Sequence, residues 1–384
     1  MPDDLEALIV RPLDYWDGGI ETYVNNMVPA LADEGIHATV LVCGKMAPRH
    51  RTYLESCGAR VIEGHLFEDR GSGSVVRGYK EDGPSIRGLV SRVLAEHPFD
   101  VVHVHCTVSW MQFLVLDEAR KARIPVRLAH SHGALAKSSF AHVAARRYFS
   151  SRATSRATGL LACSHAAGRY LFGETEWERR GIFARNGIDT EMFAFSQQAR
   201  EKIRTRLPED TLVIGNVARL AAVKNQSFLM EVFAEVVAQQ PNARLWLVGD
   251  GPDRALLEEL AASLGLSDKI VFWGKRDDIP ALLAGMDRFV LPSHHEGMSI
   301  ALIEAQASGL PCIASAGLSD ECDIPGCPIE HIPLESGPRT WAEKILEPAS
   351  PSIRREKGAR LVSAAGFDIR DCAHELAGLY RTEH

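Results

Sequence analysis

The chain has 384 residues, 46% of them hydrophobic and 24% charged. These are the proportions of an average globular protein, and they exclude a disordered, collagen-like or small disulfide-stapled chain. The formal net charge of −7 is uneven, +2 up to Arg185 and −9 beyond it, which disfavours a nucleic-acid binder and makes the front half the better approach for an anionic ligand.

The opening residues MPDDLEALIV carry acids where a secretory signal needs bases, and no apolar run reaches the roughly 18 residues of a membrane span. A cytoplasmic protein is expected. From there short β-branched runs alternate with amphipathic stretches, the pattern of strand–helix–strand units and a parallel sheet. The first series comprises LEALIV (5 to 10), HATVLVCG (37 to 44), RVIEG (60 to 64), DVVHVH (100 to 105), VRLAHSHG (126 to 133) and GLLACS (159 to 164). Between 65 and 88, five glycines and Pro84 among charges predict a long loop. The stretch 137 to 158 carries Lys137, Arg146, Arg147, Arg152 and Arg156 with no acid, beside Phe140, Val143, Tyr148 and Phe149. It reads either as a basic amphipathic helix for an anionic membrane surface or as a solvated helix packed on its own domain.

RNGID (185 to 189) signals a turn, and a second series follows: TLVIGNVARL (211 to 220), RLWLVGDGP (244 to 252), KIVFWG (269 to 274), RFVLPS (288 to 293) and PCIAS (311 to 315). The fold class is therefore α/β, with two Rossmann-like doubly wound domains whose strand ends face a cleft. The expected division is 1–187 for the first domain, 188–366 for the second, and a closing segment 367–384 whose apolar residues recur at helical spacing. The eight cysteines form no C-x-x-C and are expected to be reduced and mostly in the core.

Four places carry chemistry. Gly18 and Gly19 precede a helix whose free amides suit a diphosphate, although an ordinary tight turn is an equal reading. Arg219 and Lys224 stand past a strand end, where two cations suit phosphate unless they are merely solvated. HHEGMSIALIEAQASG places Glu296 in a turn, Gly297, Met298 and Ser299 at a helix start, and Glu304 inside that helix, where a partly buried carboxylate needs either ligand hydroxyls or an arginine. Histidines at strand ends, His130 and His132 in HSHG and His103 and His105 in DVVHVH, are more often structural hydrogen-bonding groups than ligand contacts. The dinucleotide and P-loop fingerprints are absent.

Together GGIETYV, HSHG, NGID, NVARL with Lys224, VGDGP and the E-x7-E from Glu296 to Glu304 resemble a retaining glycosyltransferase of family 4 with the GT-B fold, and HSHG resembles the members that assemble exopolysaccharide or capsule. The resemblance spans almost the whole chain. It implies transfer of a sugar, a UDP-linked hexose or N-acetylhexosamine, to a saccharide or lipid-linked saccharide. Gly18 and Gly19 would meet the donor diphosphate, Arg219 and Lys224 would neutralise it, and Glu304 would bind the ribose. Glu296 and His132 would face the transferred sugar beside Gly297, Met298 and Ser299, while Gly274, Lys275 and Arg276 would hold the base.

Asn225 stands where many members have glycine, and Met298 and Ser299 stand where many have Phe or Pro. No Asp-x-Asp lies near a strand end, so neither a metal nor another cofactor is expected, and activity should persist in excess EDTA. Expected partners are the nucleotide-sugar donor and the acceptor, with peripheral membrane contact through 137–158 and no nucleic acid. Alternatives are glycosylation of a small natural product, nucleotide-sugar epimerisation, and non-catalytic nucleotide-sugar binding.

Overall fold

The computed structural model describes residues 4–15, 18–67, 75–133, 140–348 and 354–382. They form two compact units: residues 1–187 with 369–384, and residues 188–368.

The first unit is built on seven parallel strands: β1 (Leu5–Arg11), β2 (Ile36–Val42), β3 (Arg60–Glu63), β4 (Val101–His105), β5 (Val126–Ser131), β6 (Gly159–Ala162) and β7 (Gly181–Phe183). Their order is β3-β2-β1-β4-β5-β6-β7, so the topology reverses between β1 and β4. In doubly wound sheets the ligand crevice lies at the carboxyl ends of the strands beside such a reversal. The first helix, Gly19–Asp33, leaves β1 at that point and buries Tyr23, Val24, Met27, Val28 and Leu31. Three- and four-residue spacing puts those side chains on one face, which packs against the sheet.

The predicted loop at 65–88 is corrected in its described part. Helices Val75–Glu81 and Gly83–Glu96 occupy it. Pro84 opens the second of these, where the missing N–H costs nothing, and Ile86, Leu89, Val90, Val93 and Leu94 supply a buried stripe. Glycine count outweighed this periodicity in the sequence reading. Residues 68–74 lie outside the described residues.

The second unit has six parallel strands: β8 (Val213–Val217), β9 (Arg244–Val248), β10 (Ile270–Gly274), β11 (Arg288–Leu291), β12 (Cys312–Ser315) and β13 (Ile329–Ile332). Their order, β10-β9-β8-β11-β12-β13, reverses between β8 and β11. Leu229, Phe233, Leu245, Leu247, Val290 and Trp341 belong to one buried cluster there. The outer strands β7 and β13 were not foreseen, because three- and four-residue edge strands carry little alternation.

The last helix, Ile369–Arg381, belongs to the first unit, where Cys372, Ala373, Leu376, Ala377 and Tyr380 are buried. Arg381 donates to the Glu34 carbonyl at the end of the first helix. No disulfide forms: six of the eight thiols are buried and two are half-buried. Among the described residues no helix is long and apolar enough to cross a membrane.

Candidate functional site

In the second unit the two loops flanking the β8/β11 reversal carry the charged residues. Beyond β8, Arg219 is exposed, whereas Lys224 closes a short 3₁₀ turn, Ala222–Lys224. Asn225 follows in the left-handed region, at φ 57°, and starts helix Gln226–Gln239. That conformation explains the departure at this position, since asparagine is the side chain that best substitutes for glycine there. Asn225 also donates Nδ2–H to the Pro292 carbonyl at 3.2 Å, and the His294 amide donates to the Val223 carbonyl at 2.9 Å. These bonds lock the β8 loop to the β11 loop.

Lys224 Nζ lies 2.6 Å from both Glu296 oxygens, and Ser293 Oγ donates to Glu296 Oε1 at 2.8 Å. Lys224 is thus a structured half of a charge pair, while Arg219 stands exposed earlier in the sequence of the same loop. Buried Gln226 reinforces the loop by donating to the Arg219 carbonyl at 3.0 Å. Ser293 and Gln226 were not singled out from sequence, and single polar residues in a loop gave no signal there.

VGDGP earns its glycines by packing. A Cβ on Gly249, whose φ is +129°, would stand 2.0 Å from the Ala218 carbonyl oxygen, and one on Gly251 would stand 2.1 Å from the Leu220 oxygen. The loop after β9 therefore lies flush against the segment carrying Arg219.

Ser299 caps helix Ile300–Ala307, accepting from the Leu302 amide. Met298 and Ser299 are buried and Gly297 is half-buried. Glu304, inside this helix, is 8% exposed, and burial pushes its carboxyl up to about 7. Its carboxylate has no hydrogen-bond or ion-pair partner among the described residues, so the arginine alternative is not realised. A desolvated, unpartnered acid with a raised pKa is a mark of a binding position.

Gly274 has φ +66° and its carbonyl accepts from the Gly249 amide at 2.8 Å. Lys275 and Arg276 are exposed, and Arg276 is held by Asp278 at 2.7 Å.

In the first unit Gly18 caps the first helix in extended conformation and Gly19 is its first residue. A side chain added at Gly19 would begin in open space, and one at Gly18 would meet the Glu21 carboxylate at 2.7 Å. Glu21 takes Arg11 Nε–H at 2.9 Å, a half-buried pair at the end of β1 that the sequence reading did not weigh. Arg11 Nη1 is buried without a partner among the described residues.

His132 follows β5 and is half-buried, with Nε2 2.8 Å from Nδ1 of His105. It sits in a face of four histidines, His103, His105, His130 and His132, the last three of which pack against the Tyr23 ring. Burial lowers the pKa of all four, pushing His103 to about 3, so the face is neutral at ordinary pH. Alternate residues of one strand share a face, so H-V-H and H-S-H on neighbouring strands were a legible signal for this cluster.

The basic stretch forms helix Phe140–Thr154. Phe149 is turned inward onto Tyr79 and Phe113, which removes it from any membrane face. Tyr148 is exposed beneath the Arg152 guanidinium, and Lys137 lies outside the described residues.

Residues 197–324 match the family described as "Glycosyl transferases group 1", and residues 18–180 match "Glycosyl transferase 4-like domain". The putative glycosyltransferase EpsF of Bacillus subtilis is 35% identical over 301 residues, covering 77% of this chain and 78% of its own. The chain belongs to the group 1 glycosyl transferases. Another relative, the UDP-Gal:alpha-D-GlcNAc-diphosphoundecaprenol alpha-1,3-galactosyltransferase of Escherichia coli, is 29% identical, covering 77% of this chain and 79% of its own. Anabaena HepE, solved in complex with UDP and glucose, shares the fold at TM-score 0.76 and 21% identity, covering 97% of this chain and 98% of its own. The two parallel-sheet units are those of the GT-B fold shared by this glycosyltransferase family.

Proposed function

We propose that this glycosyltransferase moves a hexose or N-acetylhexosamine, with retention of anomeric configuration, from a UDP-linked donor to a hydroxyl of a saccharide or lipid-linked saccharide. The observation that carries the reading is the grouping at the β8/β11 reversal: Lys224 paired with Glu296, with unpartnered Glu304 on the helix that follows. The relatives' names support the substrate class, since one acts with UDP-Gal on a diphosphoundecaprenol-linked sugar and HepE was solved with UDP and glucose.

Glycosyl transfer passes through an oxocarbenium-like state while negative charge grows on the departing diphosphate. In this reading Lys224 exchanges its carboxylate partner for phosphate, and exposed Arg219 and the amides of Gly297, Met298 and Ser299 add charge stabilisation. Each preorganised donor is worth about 2.7–4 kcal/mol by analogy with oxyanion-hole donors. Glu304 accepts the ribose hydroxyls, and Gly274, Lys275 and Arg276 surround the base. Glu296, released from Lys224, and His132 orient the transferred sugar, and the Gly18 and Gly19 amides approach the diphosphate. The donor phosphate accepts the acceptor's proton as the new bond forms on the face that the leaving group departs. No carboxylate pair is needed to hold Mg²⁺ or Mn²⁺ on the diphosphate, so transfer proceeds without either.

Thermal unfolding with a panel of nucleoside diphosphates tests the donor assignment. Ligand at 100 times its dissociation constant adds about 2.7 kcal/mol. Stabilisation by UDP that is lost in Glu304→Ala is expected, and a protein indifferent to every nucleotide contradicts it.

A further inference from the structure

Among the described residues His103, His105 and His130 alone form a group of metal-ligating side chains whose donor atoms all lie within 4.8 Å of one another. Two sit two residues apart on β4 and the third is on neighbouring β5, paired in register with His105. This is a natural way to build a three-imidazole site, because a pleated strand points alternate side chains to one side and the adjacent strand supplies the third from a few ångströms away.

We propose that these three histidines bind a single zinc-class divalent ion, each through one ring nitrogen.

Ring-centroid separations of 4.1, 5.1 and 5.2 Å show how tightly the three are gathered. With metal–nitrogen bonds of about 2.0–2.1 Å at tetrahedral angles, donor nitrogens stand about 3.3 Å apart. His103 Nε2 and His130 Nδ1 are 3.2 Å apart. The outer contacts also fit: ligating histidines use their second nitrogen to bond an outer partner that fixes the tautomer. His103 Nδ1 is 2.8 Å from Tyr380 Oη, and His105 Nδ1 is 2.8 Å from His132 Nε2, so each keeps Nε2 for an ion. His130 Nε2 is buried without a partner among the described residues. An ion ligated by His130 through either nitrogen leaves the other with its hydrogen, so binding needs a tautomer shift and no net loss of protons.

The chemistry of the donor set selects the ion. Imidazole favours zinc, nickel and copper, whereas magnesium and manganese prefer oxygen. All three rings are fully buried and neutral, the form that ligates, and the adjacent cation Arg11 is neutralised by Glu21 at 2.9 Å. A water molecule or an anion completes the tetrahedron. Through Tyr380 the ion would tie β4 and β5 to the last helix. This inference is independent of the transfer reading, because its readout is bound metal.

The test starts with EDTA-treated protein exposed to zinc, passed through a desalting column and assayed by atomic emission, with cobalt as spectroscopic probe. One zinc per chain and the intense visible bands of four-coordinate cobalt are expected, unaffected by excess magnesium. His105→Gln and His130→Gln should each lose stoichiometric zinc, Tyr380→Phe should weaken binding about 10–100-fold, and His97→Gln, outside the cluster, should bind as the wild type does. Substoichiometric zinc, or a weak six-coordinate cobalt spectrum, in the wild type overturns the proposal without need of any variant. So does full zinc retention in the His105→Gln, His130→Gln double variant.

Discussion

Replacing Glu304 with glutamine should stabilise this protein while removing its nucleotide response. Burial raises the Glu304 carboxyl to about 7, against 4.5 for an ordinary glutamate, so the folded state holds a proton that the unfolded chain releases. The neutral form is favoured in the fold, and stability falls as pH climbs from the unfolded value through about 7. At about 1.36 kcal/mol per pKa unit the full cost is about 3 kcal/mol, fully present above pH 7 and absent below the unfolded pKa. Glutamine keeps the shape and carries no charge. Denaturant unfolding of both proteins should therefore show the Glu304→Gln advantage growing by about 2 kcal/mol between about pH 5.5 and about pH 8.5. The same variant should lose most of the stabilisation by UDP, and the wild type should bind UDP more tightly as pH rises through 7, because the carboxylate is the better acceptor for ribose hydroxyls. An advantage that stays flat with pH would refute the reasoning, since it would mean that Glu304 is already ionised and paired in the unliganded fold.

Lys224→Ala should reduce kcat by about 10²–10³ through loss of one charge-stabilising donor, and Lys224→Arg should recover part of it; steady-state kinetics decides, and an unchanged rate would place the diphosphate elsewhere. Asn225→Gly should preserve stability, whereas Asn225→Val should cost about 1–2 kcal/mol from left-handed strain, read by thermal unfolding. Addition of Mg²⁺ or Mn²⁺ at millimolar concentration should leave the transfer rate unchanged, and a rate that rises steeply with either ion would demand a metal on the diphosphate.

The fold was largely legible because both units repeat one device, a short β-branched strand followed by an apolar-striped helix. Failures came where local signals competed. Within the expected loop at 65–88 the glycines and Pro84 concealed helix Val75–Glu81 and the start of Gly83–Glu96, whose buried stripe, Ile86 to Leu94, was present in the letters. The edge strands β7 and β13 are too short to show a period. In the second unit Lys224, Glu296 and Glu304 could be chosen from spacing and residue type, but that Lys224 and Glu296 bond each other while Glu304 stays unpartnered is a property of packing. The Arg11–Glu21 pair and the Tyr380–His103 bond join residues 10 and 277 positions apart, and no sequence window reports such contacts.

Direct transfer is the most stringent measurement: UDP-sugars labelled in the sugar, incubated with a diphospholipid-linked saccharide, with product isolated in the lipid phase and its anomeric configuration read by NMR. The account predicts labelled lipid-linked product with the donor's own anomeric configuration and stoichiometric UDP release, both about 10²–10³-fold slower in Lys224→Ala. Isomerisation of the donor without acceptor, or a product of inverted configuration, would contradict it.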